Sequence, residues 1–297
     1  MYLGIEIGGT KLQLGVGRGE SAELIELTRH EVDRAAGAEG ILRRIEEAAR
    51  PLIARHSARR IGIGFGGPID TARGRALKSH QVEGWDDFAL VAWCHEKFSL
   101  PATLANDADL AALAEARFGA GRGRSPVLYV TVGTGIGGGL VIDGELYRGN
   151  GAGAMEIGHL LPTAGAYRAE RVVERFASGP GISREARAPL ADARDVFEAA
   201  ASGDAAAEAL VSRALMTLGW AIAQAITLLS PAVVVVGGGV SLAGEARFFE
   251  PLRREVASRV FPAFRETYEI LHAALGEEMV VHGALLLAAR DAAAKGN

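Results

Sequence analysis

The sequence predicts an α/β protein of two related lobes with a cleft between them. A strand, glycine turn, strand pattern occurs twice; β-branched apolar runs alternate with amphipathic helical segments; and 297 residues, 49% of them hydrophobic, suffice for two cores of ordinary domain size.

The first hairpin is Leu3-Gly4-Ile5-Glu6-Ile7, a turn at Gly8-Gly9-Thr10-Lys11, and Leu12-Gln13-Leu14-Gly15-Val16-Gly17. Its counterpart begins with the buried strand Val127–Val132, passes through Gly133-Thr134-Gly135-Ile136-Gly137-Gly138-Gly139, and continues as a second strand and turn over Leu140–Glu145. A slide of 125 positions lays Glu6-Ile7-Gly8 on Thr131-Val132-Gly133. A repeat this long fits a duplicated domain rather than a solenoid, although in a chain with 39 Gly such hairpins can also recur by chance. Gly133, Gly135 and Gly138 satisfy G-x-G-x-x-G, but no helix follows, so a dinucleotide fingerprint is not predicted. Bare backbone at a glycine tip lets successive N–H groups approach an anion, and both hairpins are therefore predicted to wrap phosphates.

Between the hairpins, Ala38–His56 carries Ile41, Leu42, Ile45, Ala48, Ala49 and Leu52 at helical spacing and predicts an amphipathic packing helix. Arg60–Pro68 is a glycine-interrupted strand ending in a tight loop, and its glycines offer either backbone to a ligand or a sharp turn. Asp86–Phe98 predicts a helix whose aromatic residues are core. Pro101–Asp107 brings a short strand to the pair Asn106-Asp107, and Ala108–Phe118 is an alanine-rich helix. Such a pair commonly caps the next helix. Its placement about twenty residues before the second glycine hairpin favours a carboxylate serving as proton acceptor beside a phosphate site.

Beyond the second hairpin, Glu156 and His159 would share a face if helical. His159 alone could equally be an imidazole satisfied by backbone, and Glu174 could be one more charge on a solvated helix around Glu170–Arg175. From Ala214 to Gly244 there is no charged residue. Gln224, Ser230-Pro231 and Gly237-Gly238-Gly239 divide that run into a buried helix and a buried strand rather than a membrane span. The net charge of −4 gives no general attraction to nucleic acid or anionic membrane. Cys94 is the only cysteine, which excludes an internal disulfide framework and fits a reducing cytoplasm. Met1-Tyr2-Leu3 runs straight into the first strand, so no secretory leader is expected.

The first hairpin, Asn106-Asp107, the run from Gly133 to His159 (GTGIGGGLVIDGELYRGNGAGAMEIGH) and Glu174-x-x-x-Ser178-Gly179 together resemble the ROK family (repressor, open reading frame, kinase) of sugar kinases. The resemblance covers nearly the whole chain. It implies a two-lobed actin-like ATPase (ribonuclease H-like) fold, each lobe a mixed sheet with flanking helices, with residues 1–118 and 119–297 as the lobes and the last helix able to pack back on the first. The implied activity is transfer of the γ-phosphoryl of ATP, with Mg²⁺, to a hexose hydroxyl, glucose favoured. Asp107 would be the catalytic base; Asn106, Glu156, His159, Glu174 and Gly67 would hold the sugar. Gly8, Gly9, Thr10, Lys11, Thr134 and Gly135 would bind the phosphates, and Gly238 and Gly239, in Ala232–Val240, the adenosine. Carboxylates, an amide and an imidazole around a pyranose would satisfy its donating and accepting hydroxyls. A cytoplasmic homodimer is implied, without nucleic-acid or membrane partners; the helix-turn-helix of the family's transcription factors is not expected.

This chain departs from the pattern twice. Glu6 stands where the family usually has an aspartate that orders Mg²⁺ through water; the charge is kept and a methylene added. The segment between Leu160 and Glu174 has no cysteine, where most members place a zinc loop completed by the histidine corresponding to His159, so no structural zinc is expected. Ala169–Phe176 is instead predicted as a short helix burying Val172, Val173 and Phe176. A catalytically silent sugar sensor and a polyphosphate-dependent glucokinase are the alternative readings.

Overall fold

The computed structural model describes residues 1–79, 81–150 and 153–295; Gly151 and Ala152, within the predicted signature run, lie outside them. In chain order the strands are β1 (Tyr2–Ile7), β2 (Lys11–Gly17), β3 (Glu26–Glu31), β4 (Ile61–Phe65), β5 (Ile69–Asp70), β6 (Arg75–Ala76), β7 (Ala102–Asn106), β8 (Val127–Val132), β9 (Ile136–Ile142), β10 (Glu145–Leu146), β11 (Val233–Gly237) and β12 (Glu269–His272). The helices are α1 (Gly37–His56), α2 (Leu90–Phe98), α3 (Asp107–Phe118), α4 (Val173–Ala177), α5 (Gly179–Ser183), α6 (Ala193–Ala201), α7 (Ala205–Leu229), α8 (Glu250–Arg259) and α9 (Met279–Lys295). The chain divides into two compact units. The first comprises Met1–Gly119, Glu145–Ala154 and Leu275–Asn297, and the second Ala120–Gly144 and Met155–Ala274.

In the first unit the sheet order is β3-β2-β1-β4-β7; the β1–β2 and β2–β3 pairs are antiparallel, and β1–β4 and β4–β7 parallel. Strand alternation explains its two faces. Leu3, Ile5, Leu14, Val16, Ile61 and Ile63 join Ile41, Ile45, Ala49 and Leu52 of α1 in one core. The intervening positions are Gly4, Gly15, Gly62 and Gly64, and they lie against α9: a Cβ on Gly62 would sit 1.9 Å from the Ala284 carbonyl oxygen. The glycines of β4 thus admit a helix backbone, which answers the ligand reading of that strand for Gly62 and Gly64. Gly283 of α9 does the same toward α3, where a Cβ would meet the Leu110 carbonyl oxygen at 2.1 Å.

The second unit repeats the strand arrangement as β9-β8-β11-β12, with β8–β9 antiparallel and β8–β11 and β11–β12 parallel. Of the described helices, α7 alone is long and apolar enough to cross a membrane. Here its Ala214, Leu218, Ala221, Ile222 and Ile226 are buried in a core with Val234 and Val236 of β11, in keeping with the buried helix and strand predicted there.

Two predicted helices are shorter than their sequence patterns. Residues Asp86–Ala89 are not helical because Phe88 exchanges backbone hydrogen bonds with Ala76 and Asp87 has φ 49°, so α2 starts at Leu90. Ala169–Phe176 is broken at Val172, whose ψ of 161° is extended. A 3₁₀ turn over Ala169–Arg171 precedes it and α4 follows. Val172 and Val173 are buried as predicted, but Phe176 is only half-buried, beneath the Arg213 guanidinium.

Candidate active site

In the first unit the chemistry gathers at the ends of β1, β4 and β7. The Gly8–Lys11 turn is closed by Gly8 N–H donating to the Lys11 carbonyl at 3.0 Å, and Thr10 is exposed at its tip. Arg34 Nε donates to the Gly9 carbonyl at 2.8 Å and its Nη2 to Gln81 Oε1 at 3.0 Å, bracing the turn. At the end of β1, Glu6 is 5% exposed. It accepts from Gln13 Nε2 at 3.0 Å and has Lys11 Nζ at 3.4 Å, while both donors also bond the Glu277 carbonyl at 3.1 Å. Burial pushes the Glu6 carboxyl up to about 7, with Lys11 pulling it down and Asp107 pushing it further up.

The step from β7 into α3 places Asn106 and Asp107. Asn106 Oδ1 caps α3 through Ala108 N–H at 2.9 Å, and its Nδ2 donates to the Gly67 carbonyl at 3.3 Å. Capping and presentation are therefore not alternatives at this residue. Asp107 Oδ1 accepts from the same N–H at 2.8 Å. Its Oδ2 lies over Gly66, where a Cβ would be 3.1 Å from that oxygen and 3.4 Å from the Ile7 carbonyl. Glycine at 66 is what lets the carboxylate settle beside the Ile7-Gly8 corner.

In the second unit the tip Gly133-Thr134-Gly135 is tied to the helices that follow. Gly179 N–H donates to the Gly133 carbonyl at 2.8 Å, and Ile136 N–H donates to Glu174 Oε2 at 2.7 Å. A Cβ on Gly135 would stand 2.7 Å from that same oxygen. Glu174 is thus half-buried against the hairpin rather than one more charge on a solvated face. Gly238 (φ +90°) has no room for a side chain, because a Cβ would meet the Val132 carbonyl oxygen at 2.5 Å. A Cβ on Gly133 would lie 4.0 Å from the Gly239 nitrogen, so Gly238-Gly239 borders the tip. Glu156 and His159 are exposed, the first capping and the second ending a 3₁₀ turn, Ile157–His159, whose Gly158 lies against the Ile136 carbonyl oxygen. His159 Nδ1 is hydrogen-bonded to Tyr167 Oη at 2.9 Å.

Each unit therefore assembles its own subset: Glu6, Gly8–Lys11, Gly67, Asn106 and Asp107 in the first, and Thr134, Gly135, Glu156, His159, Glu174, Gly238 and Gly239 in the second. Sequence reasoning missed Gln13, Arg34 and Glu277. An amide inside the apolar run Leu12-Gln13-Leu14 was a usable signal for the first; the other two carry none.

Among the described residues no three His, Cys, Asp or Glu side chains converge as metal ligands. Around His159 the donor set does not fit zinc, which takes four N, S or O ligands in a structural site, since no cysteine stands between Leu160 and Glu174 to join it. Mg²⁺ is less demanding of the protein, keeping waters and phosphate oxygens beside one or two carboxylates. Glu6 and Asp107 suit it: they are oxygen donors close enough for one to raise the other's proton affinity.

The model of the ROK family matches residues 2–291. A glucokinase of Thermotoga maritima is 31% identical over 303 residues, covering 95% of either chain, and an N-acetylmannosamine kinase of Escherichia coli is 35% identical over 248 residues, covering 81% of this chain and 84% of the other. Among solved structures, a ROK hexokinase from Thermus thermophilus superposes with a TM-score of 0.86 at 32% identity, covering 100% of this chain and 99% of that one. A ROK glucokinase from Streptomyces griseus, in complex with glucose and AMPPNP, gives 0.81 at 28% identity, covering 97% and 99%.

Proposed function

The chain belongs to the ROK family, and from that membership and its side-chain geometry we propose that it is an ATP-dependent hexose kinase with glucose as the favoured acceptor. The observation that carries the reading is the seat of Asp107, at the start of α3 with Oδ2 over Gly66 beside the Ile7-Gly8 corner of a glycine turn. A carboxylate there is a proton acceptor next to a phosphate-binding backbone, which is what phosphoryl transfer to a hydroxyl needs.

In the proposed reaction the sugar hydroxyl oxygen attacks the γ-phosphorus, its proton passes to Asp107, and the bond to the β-phosphate oxygen breaks to release ADP. The turns at Gly8–Lys11 and Thr134-Gly135 hold phosphate oxygens through N–H groups and hydroxyls, and Gly238-Gly239 leaves space for the nucleoside. Asn106, Glu156, His159 and the Gly67 carbonyl orient the sugar; Glu174 reaches it with the oxygen not engaged by Ile136. Glu6 and Asp107 would hold Mg²⁺, which would supply positive charge to the phosphates. The buried Glu6 also holds the Lys11 ammonium, 3.4 Å away, at the end of the turn.

Both the glucokinase relatives and the glucose-bound structure support glucose; the N-acetylmannosamine kinase relative makes the acceptor the point to test. A coupled ADP-release assay across glucose, mannose, fructose, allose and N-acetylated hexosamines, with ATP or polyphosphate as donor, is expected to show ATP consumption only with sugar and the highest kcat/KM for glucose. Sugar binding without ADP release would make the protein a sensor.

A further inference from the structure

The segment after His159 is braced in a way that the proposed reaction does not by itself require. Leu160 and Val173 are joined by a backbone hydrogen bond of 2.9 Å, closing the intervening stretch into a loop. Inside it, Arg171 Nη2 donates to Thr163 Oγ1 at 2.7 Å and to the Ala164 carbonyl at 3.1 Å, and Gly165 lies so near that a Cβ would meet Arg171 Nη1 at 2.9 Å. The product of this bracing is the position of Tyr167. Its ring lies 6.3 Å from the His159 ring at 32°, and its hydroxyl is the 2.9 Å partner of Nδ1, although Tyr167 is 60% exposed and buries little surface in return.

We propose that Tyr167 is a positioning residue for the sugar site: its hydroxyl holds the His159 ring and selects its tautomer, the task a metal ion or carboxylate commonly performs for a functional histidine. This rests on the reading of His159 as a sugar ligand. An sp² ring nitrogen is the better acceptor and a phenol the better donor, so the bond forms as Oη–H to Nδ1. Nε2 then carries the ring proton and donates to a sugar hydroxyl oxygen. A free imidazole on an exposed 3₁₀ turn would rotate and exchange tautomers, and sugar binding would have to select one arrangement. The residues present thus supply a zinc-free means of fixing this histidine, built from Tyr167 and Arg171.

Tyr167→Phe removes one oxygen and keeps the ring. We expect sugar affinity, read by calorimetry without nucleotide, to fall about fivefold to tenfold, the loss of one hydrogen bond's positioning, with KM for ATP unchanged. Nitrogen-15 spectra of the imidazoles should show a single tautomer for His159 in the parent and a mixture in Tyr167→Phe. In a His159→Ala background, Tyr167→Phe should have no further effect on sugar affinity. Unchanged tautomer and affinity in Tyr167→Phe would overturn the proposal, as would an equal loss in the His159→Ala background, which would make Tyr167 a support of the loop alone. If His159→Ala keeps full sugar affinity, the sugar role of His159 falls, while the imidazole spectrum still decides whether Tyr167 fixes the ring.

Discussion

Asp107 and Glu6 are two carboxylates of one unit in opposite settings, and each makes a prediction. Asp107→Asn keeps the cap geometry at Ala108, since an amide oxygen accepts as a carboxylate oxygen does, but it cannot take a proton. Turnover should drop by about two to four decades while calorimetric sugar binding and melting temperature stay near the parent's. Near-parent turnover would return the residue to capping. Glu6 titrates instead. Burial raises its folded-state carboxyl from 4.5 to about 7, so between these values the folded chain holds a proton that the unfolded chain has lost. Its contribution to stability is complete below pH 4.5 and disappears as pH rises toward 7. Glu6→Gln should therefore flatten the fall in unfolding free energy between pH 5 and 8, by on the order of 3 kcal/mol, in urea titrations; an unchanged slope would contradict the buried-acid description. At this scale the sequence was informative wherever a residue type implied a job: Asn106 as cap, Asp107 beside a glycine turn. Glu277 gave no such sign, because it enters the Glu6 cluster through its backbone carbonyl.

At the scale of elements, the hairpins and most helices were legible because period-2 and period-3.6 patterns follow from burial of one face. The start of α2 was not, because an edge hydrogen bond to Ala76 outweighs the helical pattern of Asp86–Ala89. Nor was the purpose of glycines in β4, since an open position in a strand looks alike whether a ligand or a helix fills it. The structure assigns that space to α9, and the assignment can be tested. In Gly62→Ala the new carbon would stand 1.9 Å from a backbone oxygen of Ala284, well inside contact distance. Neither a strand paired on both sides nor a helix spine yields by rotating a side chain, so the cost should reach about 3 kcal/mol, at the upper end for overpacking. Urea denaturation should show the midpoint displaced at constant m-value; a midpoint equal to the parent's would mean that α9 does not lie on β4 as described.

For the molecule as a whole, the repeat seen in the sequence corresponds to one strand arrangement used twice, in β2-β1-β4-β7 and in β9-β8-β11-β12. Each copy carries the same device, a Gly/Thr tip, between its two antiparallel strands, β1 and β2 or β8 and β9. What the sequence pattern left open is which strands receive the last helix, because the partners of α9 are decided by glycine-sized gaps on remote strands. If the two tips serve one phosphate chain, they should be separable from sugar recognition by the same substitution in either unit. Thr10 and Thr134 are both exposed, so valine at either position keeps the branched shape, removes only the hydroxyl and leaves the cores untouched. A hydrogen bond to a charged phosphate contributes about 1.5–3 kcal/mol. Thr10→Val and Thr134→Val should each weaken ATP binding about tenfold to a hundredfold, leaving glucose titrations within about twofold of the parent. Equal losses for both ligands would indicate that the tips support the fold rather than the phosphates. A loss of ATP binding confined to one variant would place the phosphate site on that unit alone.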